Sequence, residues 1–148
     1  MSNTASLETR RLRAWLRLLR LTRSTENHLR EFLRTNYNTT LPRFDVAAAL
    51  HRAGQPIKMS ALSQMLLVSN GNATTVIDRL EKDGMVQRVL NKEDRRVVLV
   101  ALTVAGQTWF EDIAKAHETE VNSLFSGLGP AELDTIRDVL KRVEGENK

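Results

Sequence analysis

Apolar residues recur at helical spacing over most of this chain and switch to strand spacing in one short region. Over residues 7–37, Leu12, Trp15, Leu16, Leu19, Leu29, Phe32 and Leu33 follow the three-to-four-residue rhythm of one helix face. Leu18 and Leu21 widen that face into an arc. Thr40 then caps a second helix with Pro42 in its first turn, where the missing N–H costs nothing, and Phe44, Ala47, Ala48 and Leu50 form its stripe. Residues 53–56, Ala-Gly-Gln-Pro, end it, and a third helix opens at Met59 without a capping side chain at Lys58. Residues 62–84 read as a short helix, a tight turn and a longer helix. In that longer helix Ser69 serves as N-cap, Ala73, Val76, Ile77 and Leu80 form the buried stripe, and Gly84 supplies the left-handed terminator.

Past Gly84 the period becomes that of a strand. Residues 85–90 alternate loosely, residues 91–96 form a charged turn, and residues 97–102 are a β-branched run, so a β-hairpin is predicted. Thr103 caps a long helix through roughly residue 126, whose stripe is Phe110, Ile113, Ala114, Val121, Leu124 and Phe125, with Trp109 beside it. A Leu128-Gly129-Pro130 turn leads to a last amphipathic helix carrying Leu133, Ile136, Leu140 and Val143. The predicted fold is mainly α with a small β-hairpin wing: a winged helix-turn-helix plus a helical dimerisation region. A first helix of about thirty residues exceeds what one small core can cover, so part of it is expected to pack on another subunit.

The polar face of the second helix-turn-helix element is the candidate for chemistry. It carries Gly71, Thr74, Thr75, Asp78, Arg79 and Lys82, preceded by Ser69, Asn70 and Asn72. Short amides and hydroxyls at a helix N-terminus can bond adenine N6/N7 or other base edges, or meet a thymine methyl. The same face is equally compatible with an ordinary amphipathic helix whose Ser and Asn only cap it. The hairpin that follows shifts the balance. Its basic tip, Lys92, Asp94, Arg95 and Arg96, stands where a wing would meet a DNA backbone or minor groove, whereas alone it would only keep a hairpin soluble.

Charge agrees with a polyanionic partner. The net charge of +4 is uneven: residues 1–40 hold eight arginines and three acids, and residues 107–148 hold five basic and nine acidic groups. The absence of cysteine removes disulfides, thiolate zinc sites and thiol catalysis together. No window approaches the ~18 apolar residues of a membrane span, and no secretory h-region follows the basic start, so a cytoplasmic protein without cofactor or metal is expected. His28, His51 and His117 fall in three separate helices without paired ligand spacing. With no glycine-rich phosphate loop and no paired acid and base, an enzyme is not expected.

The order of elements resembles the MarR (multiple antibiotic resistance regulator) family of bacterial transcription factors. Residues 94–106, Asp-Arg-Arg-Val-Val-Leu-Val-Ala-Leu-Thr-Val-Ala-Gly, fit that family's D-x-R-x-x-x-[LV]-x-L-T-x-x-G wing signature at every fixed position, and residues 78–84 fit the end of its reading helix. The resemblance covers nearly the whole chain and implies one domain over 1–148. Within it, residues 41–102 would form the DNA-binding lobe, and 6–38 with 103–145 the dimerisation region. It further implies that residues 70–79 enter the major groove and that Arg96, held by Asp94, lies at the minor groove. A homodimer would meet a palindromic operator as a repressor, and a small effector between helices and lobe would alter the spacing of the reading helices. Leu67, where the turn often has Gly, and Gly129, in place of a Ser or Thr cap, depart from the family pattern. The runs at 39–45 and 68–72 look like a branch linked to aromatic acids or their coenzyme A thioesters. Arg20, Asn27, Arg43, His51 and Trp109 are the candidate effector residues, each of which has an equally plain reading as core or surface. An effector-blind architectural or constitutive DNA-binding protein is the alternative.

Overall fold

The computed structural model describes residues 4–67 and 72–146. Six helices and three strands follow in chain order: α1 Leu7–Tyr37, α2 Leu41–Ala53, β1 Ile57–Lys58, α3 Met59–Met65, α4 Ala73–Lys82, β2 Val86–Leu90, β3 Val98–Leu102, α5 Val104–Leu124 and α6 Pro130–Glu146. The expected mainly helical fold with a small wing is present. The chain divides into two compact units, Met1–Lys115 and Ala116–Lys148.

Local chemistry sets most boundaries in the first unit. Ser6 caps α1 by accepting from the Thr9 amide, and Asn38 ends it in the left-handed region at φ 50°. Thr40 Oγ1 accepts the Arg43 amide at 3.2 Å, with Pro42 in the first turn of α2. Lys58 gives α3 no side-chain cap, as its sequence predicts. Before α4 the structure corrects one expectation. The helix begins at Ala73 and its N-cap is Asn72, not Ser69: the Asn72 Oδ1 accepts the Thr74 amide at 2.8 Å. Ser69, Asn70 and Gly71 lie outside the described residues.

The hairpin forms with Val86 opposite Leu102 and Leu90 opposite Val98. A third strand, absent from the sequence reading, joins it: β1 pairs antiparallel with β3, Ile57 opposite Val100, giving the order β1-β3-β2. Two residues are too few to show an alternation, which is why the pattern did not reveal it.

Two apolar clusters hold the first unit together. Val46, Ala49, Leu50, Leu62, Ile77, Leu80, Val86 and Val100 join α2, α3 and α4 to the sheet. Leu33, Leu41, Phe44, Ala47, Phe110 and Ile113 join the end of α1 to α2 and the first half of α5. Trp109 packs against both. The Thr-x-x-Gly at the end of the wing signature is a clamp between these elements. Thr103 Oγ1 accepts the Gly106 amide at 2.9 Å and donates to the Gly84 carbonyl at 2.7 Å. Gly84 makes the turn into β2 at φ 80°. A Cβ on Gly106 would lie 1.8 Å from the Met85 carbonyl oxygen, so no side chain fits there.

In the second unit, the backbone of Gly129 begins α6 and its amide donates to Glu132 Oε1 at 3.0 Å. A glutamate three residues on thus completes half of a capping box where the cap itself has no side chain. Among the described side chains of α6, none is buried.

Candidate nucleic-acid interface

Helix α4 is held from the core and from the wing, and the end of α3 is held separately. Ile77 and Leu80 are buried in the core beneath it. Just past the end of α3, the buried Asp45 of α2, 6% exposed, accepts the Leu67 amide at 2.7 Å through Oδ2. Leu67 itself points outward, so the position that departs from the usual Gly is anchored by its backbone. On the wing side, Arg88 of β2 donates to Asp78 at 2.5 Å and to Glu81 at 2.6 Å. Both carboxylates hold the Arg88 guanidinium in its charged form, Asp78 most, and push its pKa up. Arg88 therefore ties α4 to the strand that carries the wing.

With those groups committed, the outward face of α4 presents Thr74, Thr75, Arg79 and Lys82 beside the cap Asn72. Arg79 donates through Nε to Asp83 at 3.1 Å, which leaves its terminal nitrogens for another acceptor. Asn72 has one amide edge engaged as the cap, so its free donor is the NH₂ group. Ser69 and Asn70, the other two predicted readers, fall outside the described residues.

The wing tip is a sequence of short local bonds. Asn91 Oδ1 accepts the Glu93 amide at 3.0 Å, and the Val97 amide donates to the Asp94 carbonyl at 3.0 Å. Asp94 accepts both the Arg96 amide, at 3.0 Å, and its Nε, at 3.1 Å. Those two donations from Arg96, the side chain's first, keep the Asp94 carboxyl below the usual carboxylate range, with Lys58 adding a smaller pull. Arg96 is nonetheless 92% exposed along its side chain, so the pair orients it without hiding it. Lys92 and Arg95 are also exposed. The wing is thus a pre-ordered cationic tip, the form suited to a phosphate backbone or a narrow groove.

The five predicted effector residues do not share one cavity. Arg20 and Asn27 line a shallow hollow along α1 with Leu16, Leu19 and Arg23. His51 packs its ring 4.9 Å from Phe110 and lines a small hollow with Pro56 and Gln107. Arg43 and Trp109 come together elsewhere, in a hollow of about 250 Å³ with Tyr37, Asp83 and Met85. A larger hollow of about 530 Å³ lies against it and contains Arg30, Arg34, Arg43 and Arg79. Arg30 and Arg34 were not among the sequence-predicted site residues. Their spacing of four on α1 puts them on one helix face, but only the tertiary fold brings that face to Arg43 and Arg79. Among the described residues, no group of His, Asp and Glu has the arrangement to hold a metal ion.

Comparison with known proteins follows the same geometry. Residues 39–98 match the profile of the MarR family. The HTH-type transcriptional regulator YkoM of Bacillus subtilis (strain 168) is 33% identical over 118 residues, covering 80% of this chain and 75% of that relative. Among solved structures, a MarR family transcriptional regulator from Silicibacter pomeroyi superposes with a TM-score of 0.82 at 27% identity, covering 98% of this chain and all of the other. A mutant MarR from E. coli complexed with operator DNA superposes with a TM-score of 0.78 at 26% identity, covering 94% of this chain and 99% of the other.

Proposed function

The chain belongs to the MarR family of DNA-binding transcriptional regulators, and from that premise we propose that it acts as a homodimeric, ligand-responsive repressor in the cytoplasm. Members of the family are regulators of transcription and not enzymes. Among the described residues no helix is long and apolar enough to cross a membrane.

In this reading Asn72, Thr74, Thr75 and Arg79, with Ser69 and Asn70 ahead of them, face the major groove. Lys92, Arg95 and Arg96 meet the backbone or minor groove, and Asp94 orients Arg96. The observation that carries it is the pairing of a helix fixed by the core and by Arg88 with an exposed, pre-oriented Arg96. Residues 41–102 serve as the DNA-binding lobe. Residues 6–38 and 103–145 serve as the dimerisation region, because α1 and α6 each leave an apolar stripe uncovered in the single chain, Trp15 at 56% and Val143 at 52% exposure among them. A two-fold dimer brings two reading helices to half-sites about 10 bp apart, so the operator is palindromic.

Operator titrations test it. Thr75→Ala should change base preference at one position per half-site and cost about 1–3 kcal/mol there. Arg96→Ala should weaken all sequences evenly and lower the salt slope by about 1 per subunit, as a lost phosphate contact does. Wild-type titration curves for Arg96→Ala at several salt concentrations would remove the wing from the interface.

The effector in this reading is an aromatic carboxylate or its coenzyme A thioester, anchored near Arg43 and Trp109 at the junction of α1 with the lobe. It releases operator by binding the free form better than the bound form. The scatter of Arg20, Asn27 and His51 over separate hollows favours a second reading, an effector-blind DNA-binding protein. Calorimetry with benzoates, hydroxycinnamates and their thioesters, with and without operator, separates the two: a true effector binds more weakly, by the same factor, once DNA is present.

A further inference from the structure

Lys58 stands where two local rules argue against it. It occupies the N-cap position of α3 in the extended conformation of a cap, yet its side chain accepts no amide there. Ser, Thr, Asp or Asn would satisfy one of the open amides of that first turn, which an ammonium, having donors only, cannot do. Its charge also sits at the positive end of the helix dipole. Both effects cost stability, and such departures from local consistency are expected where a residue serves function more than fold.

The fold brings this exposed residue beside the wing. Lys58 lies opposite Leu99 across the β1–β3 ladder, and Leu99 lies opposite Val89 of β2, so the three share one face of the sheet. The other face carries the buried Val86 and Val100, so Lys58 is on the face turned from the core. Ile57, opposite Val100, packs against the core and anchors the strand. From this position the Lys58 ammonium helps hold the Asp94 carboxylate at the wing tip in its charged form. It makes no ion pair with an acid among the described residues, whereas Arg96 bonds Asp94 through Nε at 3.1 Å.

We propose that Lys58 is a DNA-contacting residue outside both α4 and the wing tip, its ammonium holding an operator backbone phosphate next to the stretch met by Arg96. The inference rests on the reading of the wing as DNA-facing and extends that interface onto β1. Asp94 serves both cations. By accepting from Arg96 it lowers the repulsion between that guanidinium and Lys58, so two positive groups can approach one length of backbone. A lysine suits the role, because it meets a phosphate as a point charge and reads no sequence. The competing role is a lysine that guards the open edge of a sheet, since β1 is an edge strand. An edge guard leaves DNA binding unchanged.

The experiment follows binding of the full chain to labelled operator and to a scrambled duplex by anisotropy, from about 50 to 200 mM salt. The variants are Lys58→Thr, Lys58→Arg and Arg96→Ala. Lys58→Thr should lower the salt slope by about 0.9 per subunit and weaken both duplexes alike, roughly eightfold per subunit at about 0.1 M salt. Lys58→Arg should keep the wild-type slope. The melting temperature of DNA-free Lys58→Thr should rise by about 2–4 °C, because threonine restores the missing cap. Opposite signs for affinity and stability separate a DNA contact from a residue that acts through the fold.

Wild-type slope and affinity in Lys58→Thr overturn the inference and leave Lys58 as an edge guard. Lost affinity together with a lower melting temperature overturns it as well, because the lobe itself is then damaged. A loss confined to operator, with the scrambled duplex unaffected, overturns the phosphate assignment. Arg96→Ala separates failure of this inference from failure of its premise. A wild-type salt slope in that variant removes the wing from the DNA and this inference with it, whereas a flattened slope there beside an unchanged one in Lys58→Thr removes Lys58 alone.

Discussion

The winged lobe and the last helix of this chain put their apolar residues to opposite effect. In the lobe, Leu62, Ile77 and Val100 are fully buried, and Asp78, Glu81 and Asp83 each meet an arginine. In α6, Leu133, Ile136, Val139, Leu140 and Val143 all stay at least 40% exposed. The first three-quarters of α1 resembles α6: Leu12, Trp15, Leu16, Leu18 and Leu21 are exposed, and burial begins only at Leu29. The lobe's core closes within one chain, with the end of α1 and the first half of α5 completing it. A stripe that closes on nothing is stable in water only when another surface covers it. The difference separates a region that closes within the chain from stripes that it leaves open.

The largest effect should come from breaking the stripes. Ile136→Asp with Leu140→Asp puts two charges per chain where a second copy would pack. Burial of each such side chain is worth about 1.5–3 kcal/mol, so a dimer loses on the order of 6 kcal/mol or more. Light scattering should report about 16.8 kDa instead of twice that. Operator affinity should fall by orders of magnitude, while far-UV circular dichroism retains the lobe. A double variant that still runs as a dimer would place the interface elsewhere.

The converse variant, Gly106→Val, leaves the stripes and breaks the lobe. Its Cβ would collide with the Met85 carbonyl, so β2 and the start of α5 must separate. Overpacking of this kind costs about 3 kcal/mol or more, and denaturant unfolding should show it as a lower midpoint. Persistence of the dimer in Gly106→Val at low denaturant would confirm that the two regions are independent. Unchanged stability would mean that the clamp is not as tight as its geometry.

These two regions were also unequally legible. Caps and turns depend on residues a few positions apart, so Thr40, Thr103 and Gly84 could be assigned from the sequence, and the wing signature fixed where the hairpin lies. The stripes of α1 and α6 were equally visible, because a helix period needs no partner to be recognised. What escaped was non-local. Asp45 holds an amide 22 residues away, and its only signal was a lone acid within the apolar run of residues 44–50. Arg88 could have been found, since it lies two residues after the buried Val86 and so on the same strand face. A charge on that face requires carboxylates, and Asp78 and Glu81 provide them. The cap moved from Ser69 to Asn72 because both residue types cap well and sequence cannot rank them. The arginines around the larger hollow come from three helices, and no local pattern joins them.

Arg88 gives a smaller effect that sharpens the link inside the lobe. Arg88→Met keeps the stem and removes two ion pairs whose carboxylates are 60% and 42% exposed. Solvent screening limits the two pairs together to about 1 kcal/mol of stability. Operator affinity should fall by more than stability does, because the wing and α4 lose their fixed relation before either unfolds. Since no cation facing the DNA is removed, the salt slope should stay at its wild-type value. Arg88→Lys should restore part of the affinity. A reduced salt slope in Arg88→Met would make Arg88 a phosphate contact instead.

The smallest effect concerns His117, in the second unit. Burial disfavours its charged form and pushes its pKa below the ordinary histidine value. The unfolded chain therefore binds this proton more readily than the folded one. Stability from the neutral ring is fully present above the ordinary histidine pKa, about 6.5, and is lost as pH falls through the lower folded value. Acidification from neutrality should thus lower the melting temperature by a component that His117→Gln abolishes, since glutamine cannot take up the proton. The shift should be smaller than that of any substitution above, because one half-buried ring carries it. If His117→Gln leaves the pH dependence of melting unchanged, burial at this position is not what couples the second unit to pH.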